Sequence, residues 1–321
     1  MSHPQESTSG KPPSGGRLPL IGAQISTAGG LAPVPERAAL IGAEVVQIFA
    51  SNPRTWQPRT YDCKEITAFV DDLQRRALPL FLHTIYLINL ASPDEALRLR
   101  SAEALSSALV LGALTKAAGV VTHMGSHKGA RPEVVRSRIT ATVAQAIAQA
   151  SRVLAHAGQS GDPPALPPLL LENSAGSGTA VAGRLEELSA ILPALPVGCG
   201  ICLDTAHLFA AGYAVHTATG LARLLAQLEQ TGLLAHLRLI HLNDSKTPFG
   251  SRRDQHENPG AGHIGEKGLA RIVRHPALAF VPFVLEVPGQ DGRGPDAPNL
   301  AAVKLMRRGA APLRQTPAPP P

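Results

Sequence analysis

The side chains of this sequence best suited to chemistry are histidines and carboxylates that end or follow short apolar segments. His83 follows the apolar residues 80–82, and Glu172 follows residues 169–171. Nine candidate ligands are found: His83, His123, Glu172, Asp204, His207, His241, Asp254, His256 and Glu286. Imidazole and carboxylate groups bind Zn²⁺ and similar divalent cations. Because a catalytic ion usually takes three or four protein ligands, nine predict two or three ions that share bridging carboxylates.

The most informative stretch of the chain covers residues 237–256. Its apolar start, residues 237–240, predicts a buried strand that ends at His241, and a polar loop rich in Asp, Asn, Ser and Arg follows. Asp254 and His256 are two residues apart, so in an extended segment their side chains lie on one side. The stretch therefore predicts two ligands of one ion close to a histidine at a strand end.

Ligands so far apart in the sequence can meet only if the elements that carry them end at one place. We predict strands near residues 18–24, 45–50, 80–83, 120–124, 169–172, 200–204, 239–243 and 283–286. Apolar residues spaced three and four apart predict helices near residues 66–77, 96–118, 135–147, 184–192, 221–230, 269–275 and 300–308. This alternation predicts an α/β protein, a (β/α)8 TIM barrel, in which all strand ends meet on the face where barrel enzymes work. A doubly wound sheet is the alternative, but no glycine-rich fingerprint follows the first strand.

Composition bounds the domain organisation and the cellular setting. We predict one domain at residues 18–308, with disordered arms at residues 1–17 and 309–321, which are rich in Pro, Gly, Ser or Ala. The net charge of +6 allows a polyanionic partner but is equally typical of a solvated surface. Neither a membrane span nor a secretory signal is indicated.

The three cysteines do not form a disulfide framework, which predicts a reducing, cytoplasmic location. Cys199 and Cys202 match the CxxC spacing, but they lie in an apolar segment that predicts a strand. We therefore predict buried structural thiols rather than a redox or zinc site.

Several segments also resemble one known family. They cover residues 21–23, 52–56, 83–90, 171–176, 203–213, 241–246, 250–256 and 263–265. On these segments the chain resembles the endonuclease IV family of apurinic/apyrimidinic endonucleases (AP endonuclease family 2) from about residue 18 to 308. The resemblance implies three Zn²⁺ ions, with Mn²⁺ as an alternative in some sites. The implied ligand sets are His83, His123 and Glu172; Glu172, Asp204, His241 and Glu286; and His207, Asp254 and His256.

The resemblance implies a DNA-repair enzyme of base excision repair. Such an enzyme hydrolyses the phosphodiester 5′ to an abasic site in double-stranded DNA, leaving a 3′-hydroxyl and a 5′-deoxyribose phosphate, and also repairs blocked 3′ ends. Glu172 would be catalytic and would orient the attacking water. Arg54, Tyr86 and Leu87 match family residues that enter the base stack at the lesion. We expect the protein to act as a monomer in the cytoplasm.

Four residues depart from the family pattern: Gln24, Ala206, Pro259 and Val287. Gln24 stands where the family usually has His. None of the departures removes a ligand, so they bear on loop geometry and on hydrogen bonds around the ligands.

Two other functions remain open. A barrel sugar isomerase or epimerase also gathers Glu, Asp and His at strand ends, but with one or two metals, which leaves His207, Asp254 and His256 unexplained. The second alternative is a non-catalytic protein of the same fold that binds damaged DNA. The intact ligand set argues against it.

Overall fold

Eight parallel strands close into a barrel in a computed structural model that describes residues 18–157 and 163–309. The barrel strands are β1 (Ile21–Gln24), β2 (Val46–Phe49), β3 (Leu80–His83), β4 (Gly119–Thr122), β5 (Leu169–Glu172), β6 (Gly200–Asp204), β7 (Leu237–His241) and β10 (Phe283–Leu285). Between β7 and β10, the short strands β8 (Asp244–Ser245) and β9 (His256–Glu257) form an antiparallel ribbon. The predicted (β/α)8 barrel is confirmed. The predicted arms lie outside the described residues, except for Gly309.

Helices separate the barrel strands. They are α1 (Val34–Leu40), α2 (Cys63–Arg75), α3 (Glu95–Leu114), α4 (Pro132–Ala157), α5 (Leu185–Ile191), α6 (Thr205–Ala211), α7 (Ala218–Gln230), α8 (Gly265–Val273) and α9 (Ala297–Arg308). The sequence did not predict α1 or α6, each of which has seven residues. Six of the seven residues of α6 are buried, so α6 has no polar face that would reveal a helical repeat. No helix in residues 18–157 and 163–309 combines the length and apolar character needed to cross a bilayer.

The barrel interior has an apolar layer with a polar ring above it. Seven buried residues form the apolar layer: Val45, Phe81, Val121, Leu170, Cys202, Leu239 and Val284. Side chains alternate along a strand, so the next inward position is two residues further on. At these positions a polar ring is formed by Gln47, His83, His123, Glu172, Asp204, His241 and Glu286. Gln24 occupies the corresponding position on the remaining strand, β1. The period of a strand thus places these eight side chains next to the apolar layer, at one end of the barrel.

The cysteines take no part in the polar ring. Cys202 is buried in the apolar layer as predicted, and burial raises the pKa of its thiol to about 12. Cys199 is only half-buried, and burial raises its pKa to about 11. Both thiols are thus protonated at neutral pH, which fits a structural role.

Candidate metal centre

The predicted ligands lie at three kinds of position near the carboxyl ends of the barrel strands. His83, Glu172, Asp204 and His241 are the last residues of their strands. His123 and Glu286 follow the ends of β4 and β10 directly. The other three lie outside the barrel strands: His207 on α6, Asp254 in a loop and His256 on β9. His207 lies three residues beyond the predicted sixth strand, because the chain turns into α6 directly after Asp204.

Glu172 lies at the centre of the first two ligand groups. Its side chain is 1% exposed, and its Oε2 atom lies 3.1 Å from His83 Nε2 and 3.3 Å from His123 Nε2. Its other oxygen, Oε1, lies 2.9 Å from His241 Nδ1. Each oxygen therefore faces a different set of imidazoles, which is the arrangement of a carboxylate that bridges two cations.

The second group joins Glu172 to three further ligands. One ligand atom from each of Glu172, Asp204, His241 and Glu286 lies within 4.8 Å of the others. His241 Nδ1 is 3.2 Å from Glu286 Oε2. Three carboxylates and one imidazole are a donor set typical of a hard or borderline divalent cation.

The third group contains the predicted ligands and one more. Asp254 lies between two imidazoles, with Oδ2 3.1 Å from His207 Nε2 and Oδ1 3.3 Å from His256 Nε2. Ligand atoms of His207 and His256 also lie within 4.8 Å of Asp204, whose Oδ2 is 3.5 Å from His256 Nε2. Asp204 is therefore placed between the second and third groups, which the sequence did not predict.

Four of the five ligand histidines are held so that one ring nitrogen points into the centre. A carbonyl oxygen can only accept, so the ring nitrogen next to it carries the proton and the opposite nitrogen is free to bind a cation. The outer nitrogens lie near these oxygens: His83 Nδ1 at 2.7 Å from Thr84 O, His207 Nδ1 at 2.9 Å from Asn173 O, His241 Nε2 at 2.9 Å from Gln47 Oε1, and His256 Nδ1 at 3.0 Å from Glu286 O.

Two of the inward nitrogens show that the centre fits a cation. His207 Nε2 and His256 Nε2 are buried and lie 3.1 and 3.3 Å from the oxygens of Asp254, yet neither makes a hydrogen bond within the described part of the chain. Buried polar atoms are almost always satisfied, so two unpaired nitrogens that face one carboxylate indicate a ligand between them. A divalent cation satisfies both lone pairs and the carboxylate together.

The carboxylates of the centre raise the proton affinity of its histidines. Burial alone would lower the pKa of His207 and His256, because burial disfavours the charged form. The negative charges of Asp204 and Asp254 outweigh burial. They hold the pKa of His207 well above its usual value and raise that of His256 to about 9. Burial would raise the pKa of Glu172, but the neighbouring imidazoles hold it well below its usual value, so protons and cations compete for an ionised centre.

Known proteins are similar to this chain along most of its length. Residues 35–310 match the family described as a xylose isomerase-like TIM barrel. A probable endonuclease 4 from Nitratidesulfovibrio vulgaris (strain DP4) is 39% identical over 294 residues, which cover 90% of this chain and 99% of the relative. The chain belongs to the endonuclease IV family. The crystal structure of endonuclease IV from Thermus thermophilus superposes with a TM-score of 0.76 at 34% identity, covering 91% of this chain and 100% of that chain.

The barrel alone does not distinguish the endonuclease IV family from other enzymes. A D-tagatose 3-epimerase-like protein superposes with a TM-score of 0.62 at 16% identity, over 90% of this chain and 96% of that chain. That likeness shows a shared fold only.

In this endonuclease IV family member, two asparagines and a helix cap hold the ligand Asp204 in place. Asp204 Oδ1 accepts a hydrogen bond of 2.8 Å from the backbone N–H of His207 and so caps the first turn of α6. Asn243 Nδ2 donates to Asp204 Oδ2 at 2.6 Å, and Asp204 N donates to Asn173 Oδ1 at 2.7 Å. The cap therefore fixes the positions of His207 and Asp204 relative to each other.

The loop that carries Asp254 and His256 is organised by a buried carboxylate. Asp244 is fully buried, and its oxygens accept five backbone N–H groups at 2.8–3.2 Å, from Ser245, Gly260, Gly262, Ile264 and Gly265. A Cβ atom on Gly262 would lie only 2.5 Å from Asp244 Oδ1, so glycine is required there. Asp244 lies in residues 241–246, one of the segments that carry the resemblance, but no local pattern predicted that it accepts these backbone N–H groups.

The sequence did not predict two further residues of the centre. Gln47 and Asn243 are fully buried and contact ligands directly. The signal for Gln47 was present, because it lies two residues after Val45 as each ligand of the ring lies two residues after an apolar residue. The sequence offered no comparable signal for Asn243, whose partners come from β6 and from the end of β10.

The three residues predicted to contact DNA lie beside the centre. Tyr86 is 58% exposed, and its ring centroid is 5.3 Å from that of Phe49 and 6.0 Å from that of His83. Its backbone N–H donates to Pro53 O at 3.0 Å, which ties it to the loop that carries the exposed Arg54. Leu87 is half-buried and packs against the core. A cavity of about 750 Å³ opens between Tyr86 and Glu286.

Proposed function

We propose that this protein is a DNA-repair endonuclease that hydrolyses the phosphodiester 5′ to abasic sites in double-stranded DNA. The products would be a 3′-hydroxyl and a 5′-deoxyribose phosphate, and removal of blocked 3′ ends belongs to the same proposal. The observation that carries it is Glu172, a buried carboxylate whose two oxygens face two ligand groups, in a chain of the endonuclease IV family. A carboxylate shared by two ligand groups would hold two cations close enough to act together in phosphodiester hydrolysis.

The ligand groups would hold three Zn²⁺ ions, with Mn²⁺ as an alternative in some sites. The three proposed sets are His83, His123 and Glu172; Glu172, Asp204, His241 and Glu286; and His207, Asp254 and His256, with Asp204 at the edge of the third set. Bound there, the ions would supply Lewis-acid chemistry, which polarises a phosphate and makes water a nucleophile near neutral pH.

The chain's own residues would hold the ions and align the attacking water. Glu172 is ionised at neutral pH, because its pKa is held well below its usual value by nearby imidazoles against the opposing effect of burial. It can therefore accept a hydrogen bond from the attacking water and align that water with the phosphorus atom. Water oxygen then bonds to phosphorus, the bond from phosphorus to the 3′ oxygen breaks, and the net transfer of one proton from the water to that oxygen gives the 3′-hydroxyl and the 5′-phosphate.

Lesion recognition is assigned to Tyr86, which lines the cavity, and to two residues near it. Tyr86 would replace stacking lost at the abasic site, with Arg54 and Leu87 beside it, and the cavity would take the extruded sugar phosphate. Lys246, Arg252 and Arg253 are exposed on the loops of the centre, where they would contact phosphates and make binding salt-dependent. We infer a monomer that works on DNA in the cytoplasm.

The test is incision of a duplex oligonucleotide with one abasic site, with and without a chelator, together with elemental analysis of the purified protein. We expect incision with about three ions per chain, loss of incision after chelation and recovery with Zn²⁺ or Mn²⁺. A folded, metal-loaded protein that leaves the abasic duplex intact would overturn the proposal. Tight binding without incision would favour the damage-binding alternative, and aldose–ketose turnover with fewer ions the isomerase or epimerase alternative.

A further inference from the structure

Two glutamines complete the polar ring of the barrel, and one of them contacts two ligands of the second group. Gln47, on β2, is fully buried. Its Oε1 atom lies 2.9 Å from His241 Nε2, and its Nε2 atom lies 2.6 Å from Glu286 Oε1 and 2.8 Å from Gln24 Oε1. One carbonyl and two N–H groups are all that an amide side chain offers, so every group of Gln47 is used.

The partners of Gln47 determine which way its amide faces. A carboxylate at neutral pH only accepts hydrogen bonds, so the NH₂ group must face Glu286 and the oxygen must face His241. The oxygen of Gln24 accepts the second N–H of Gln47 and supports the same orientation. His241 must then carry its proton on Nε2, which leaves the lone pair of Nδ1 directed at Glu172 Oε1 and Glu286 Oε2.

We propose that Gln47 is a positioning residue for the second ligand group. It selects the Nε2–H tautomer of His241, so that Nδ1 is the ligand atom. It also holds Oε1 of Glu286, so that Oε2 remains for the cation. This inference rests on the proposed function, because it assumes that the second group holds an ion.

A purely structural role for Gln47 makes different predictions. A buried amide in a barrel can serve to fill space, and in that case an apolar residue of similar volume would replace it without effect on ion binding. Hydrogen bonds to a metal-binding imidazole do more, since their loss usually lowers metal affinity by about 10- to 100-fold. Ion affinity, and not thermal stability, therefore separates the two roles.

The experiment compares the wild-type protein with Gln47→Leu and with the control Val45→Ala. Val45 lies in the apolar layer just below Gln47, so its truncation disturbs barrel packing without touching a ligand. Each protein is equilibrated with buffered free Zn²⁺, and bound zinc is measured by elemental analysis. We expect Gln47→Leu to bind one ion per chain about 10- to 100-fold more weakly, whereas Val45→Ala lowers Tm and leaves zinc affinity unchanged.

Equal zinc affinity in Gln47→Leu and wild type would overturn the inference. If the wild type itself binds no zinc, the proposed function fails first, so the two failures are distinguishable. If Gln47→Leu does not fold, ¹⁵N NMR of the zinc-loaded wild type decides the matter. A proton on Nε2 of His241 supports the inference, and a proton on Nδ1 overturns it.

Discussion

His207 Nε2 lies 3.1 Å from Asp254 Oδ2, and neither residue belongs to a strand of the barrel. His207 is placed by α6, and Asp254 by the loop that precedes β9. Three ligands of the third group, His207, Asp254 and His256, therefore come from elements outside the barrel strands, and Asp204 is its one ligand from a barrel strand, whereas the first two groups are built by strand ends. A substitution in the loop before β9 can thus disturb the third ligand group separately from the first two.

We predict that Asp254→Asn removes one ion and leaves two. The amide removes the charge that lies between His207 and His256, while Glu172 and its neighbours are unchanged. Elemental analysis should show about two zinc ions per chain, and incision of abasic DNA should fall about 100-fold or more, because a charged ligand of a catalytic ion is lost. The exposed Asp291→Asn should keep all three ions. Full zinc occupancy in Asp254→Asn would contradict the assignment.

A second prediction concerns the bridging carboxylate. Glu172→Gln cannot supply two anionic oxygens to two ligand groups, so single-turnover incision should fall about 1,000-fold or more, or roughly 4 kcal/mol in activation free energy. The matched control is Glu229→Gln on the exposed face of α7, which should cut DNA at the wild-type rate. Retention of near wild-type incision by the folded Glu172→Gln protein would rule out its catalytic role.

A third prediction is that ion binding releases protons and strengthens as pH rises. Burial lowers the pKa of His256, but Asp204 and Asp254 raise it to about 9, so the metal-free imidazole is protonated at pH 7. A cation must displace that proton, so zinc affinity should increase from pH 6 to about pH 9. Calorimetry in buffers of different ionisation enthalpy measures the protons released. Zinc affinity that does not change over this range would contradict the prediction.

The same pKa shift has a consequence for the stability of the metal-free protein. The pKa of His256 is about 9 in the folded protein and about 6.5 when unfolded. A raised pKa means that the folded state binds the proton more tightly, so this contribution is fully present below pH 6.5 and is lost as pH rises through 9. Urea unfolding of metal-free wild type and His256→Ala should therefore show a difference that shrinks between these values. A difference that grows with pH would show that the proton is not held by the carboxylates.

Loosening the loop at Asp244 should affect the third ion without removing any ligand. Asp244→Asn replaces an oxygen that accepts backbone N–H groups with an NH₂ group that cannot accept them. Loss of charge-assisted bonds should lower the free energy of unfolding by about 3 kcal/mol. Hydrogen exchange should speed up at residues 258–265, and the third ion should bind more weakly. Exchange rates and zinc content equal to those of wild type in the Asp244→Asn protein would contradict this role of Asp244.

Lesion recognition is tested at the exposed Tyr86. Tyr86→Ala removes the ring and should weaken binding of an abasic duplex by about 10-fold or more, because one aromatic stacking contact is worth about 1–3 kcal/mol. Tyr86→Phe keeps the ring and should bind as wild type does. Affinity is measured by fluorescence anisotropy at one stated salt concentration. Equal losses in the two variants would mean that the hydroxyl, and not stacking, is the contact.

The sequence by itself determined the barrel and the histidines and carboxylates of its polar ring. Eight apolar segments alternate with helical periods, and a strand has a side-chain period of two, so His83 and Glu172 had to face the same interior as the other strand-end ligands. These are local regularities, and they can be read without knowing which strands are neighbours. Six of the nine candidate ligands follow from the same regularity, and Asp254 and His256 follow from their spacing, whereas His207 lies on α6.

Only the tertiary structure decided how these ligands are shared and oriented. That Glu172 offers one oxygen to each of two groups, and that Asp204 lies between two groups, depends on distances across the closed barrel. The tautomer of His241 depends on Gln47, which is 194 residues away in the chain. Hydrogen bonds act only over about 3 Å, so their partners are set by the packing of distant segments, which no local pattern of residues specifies.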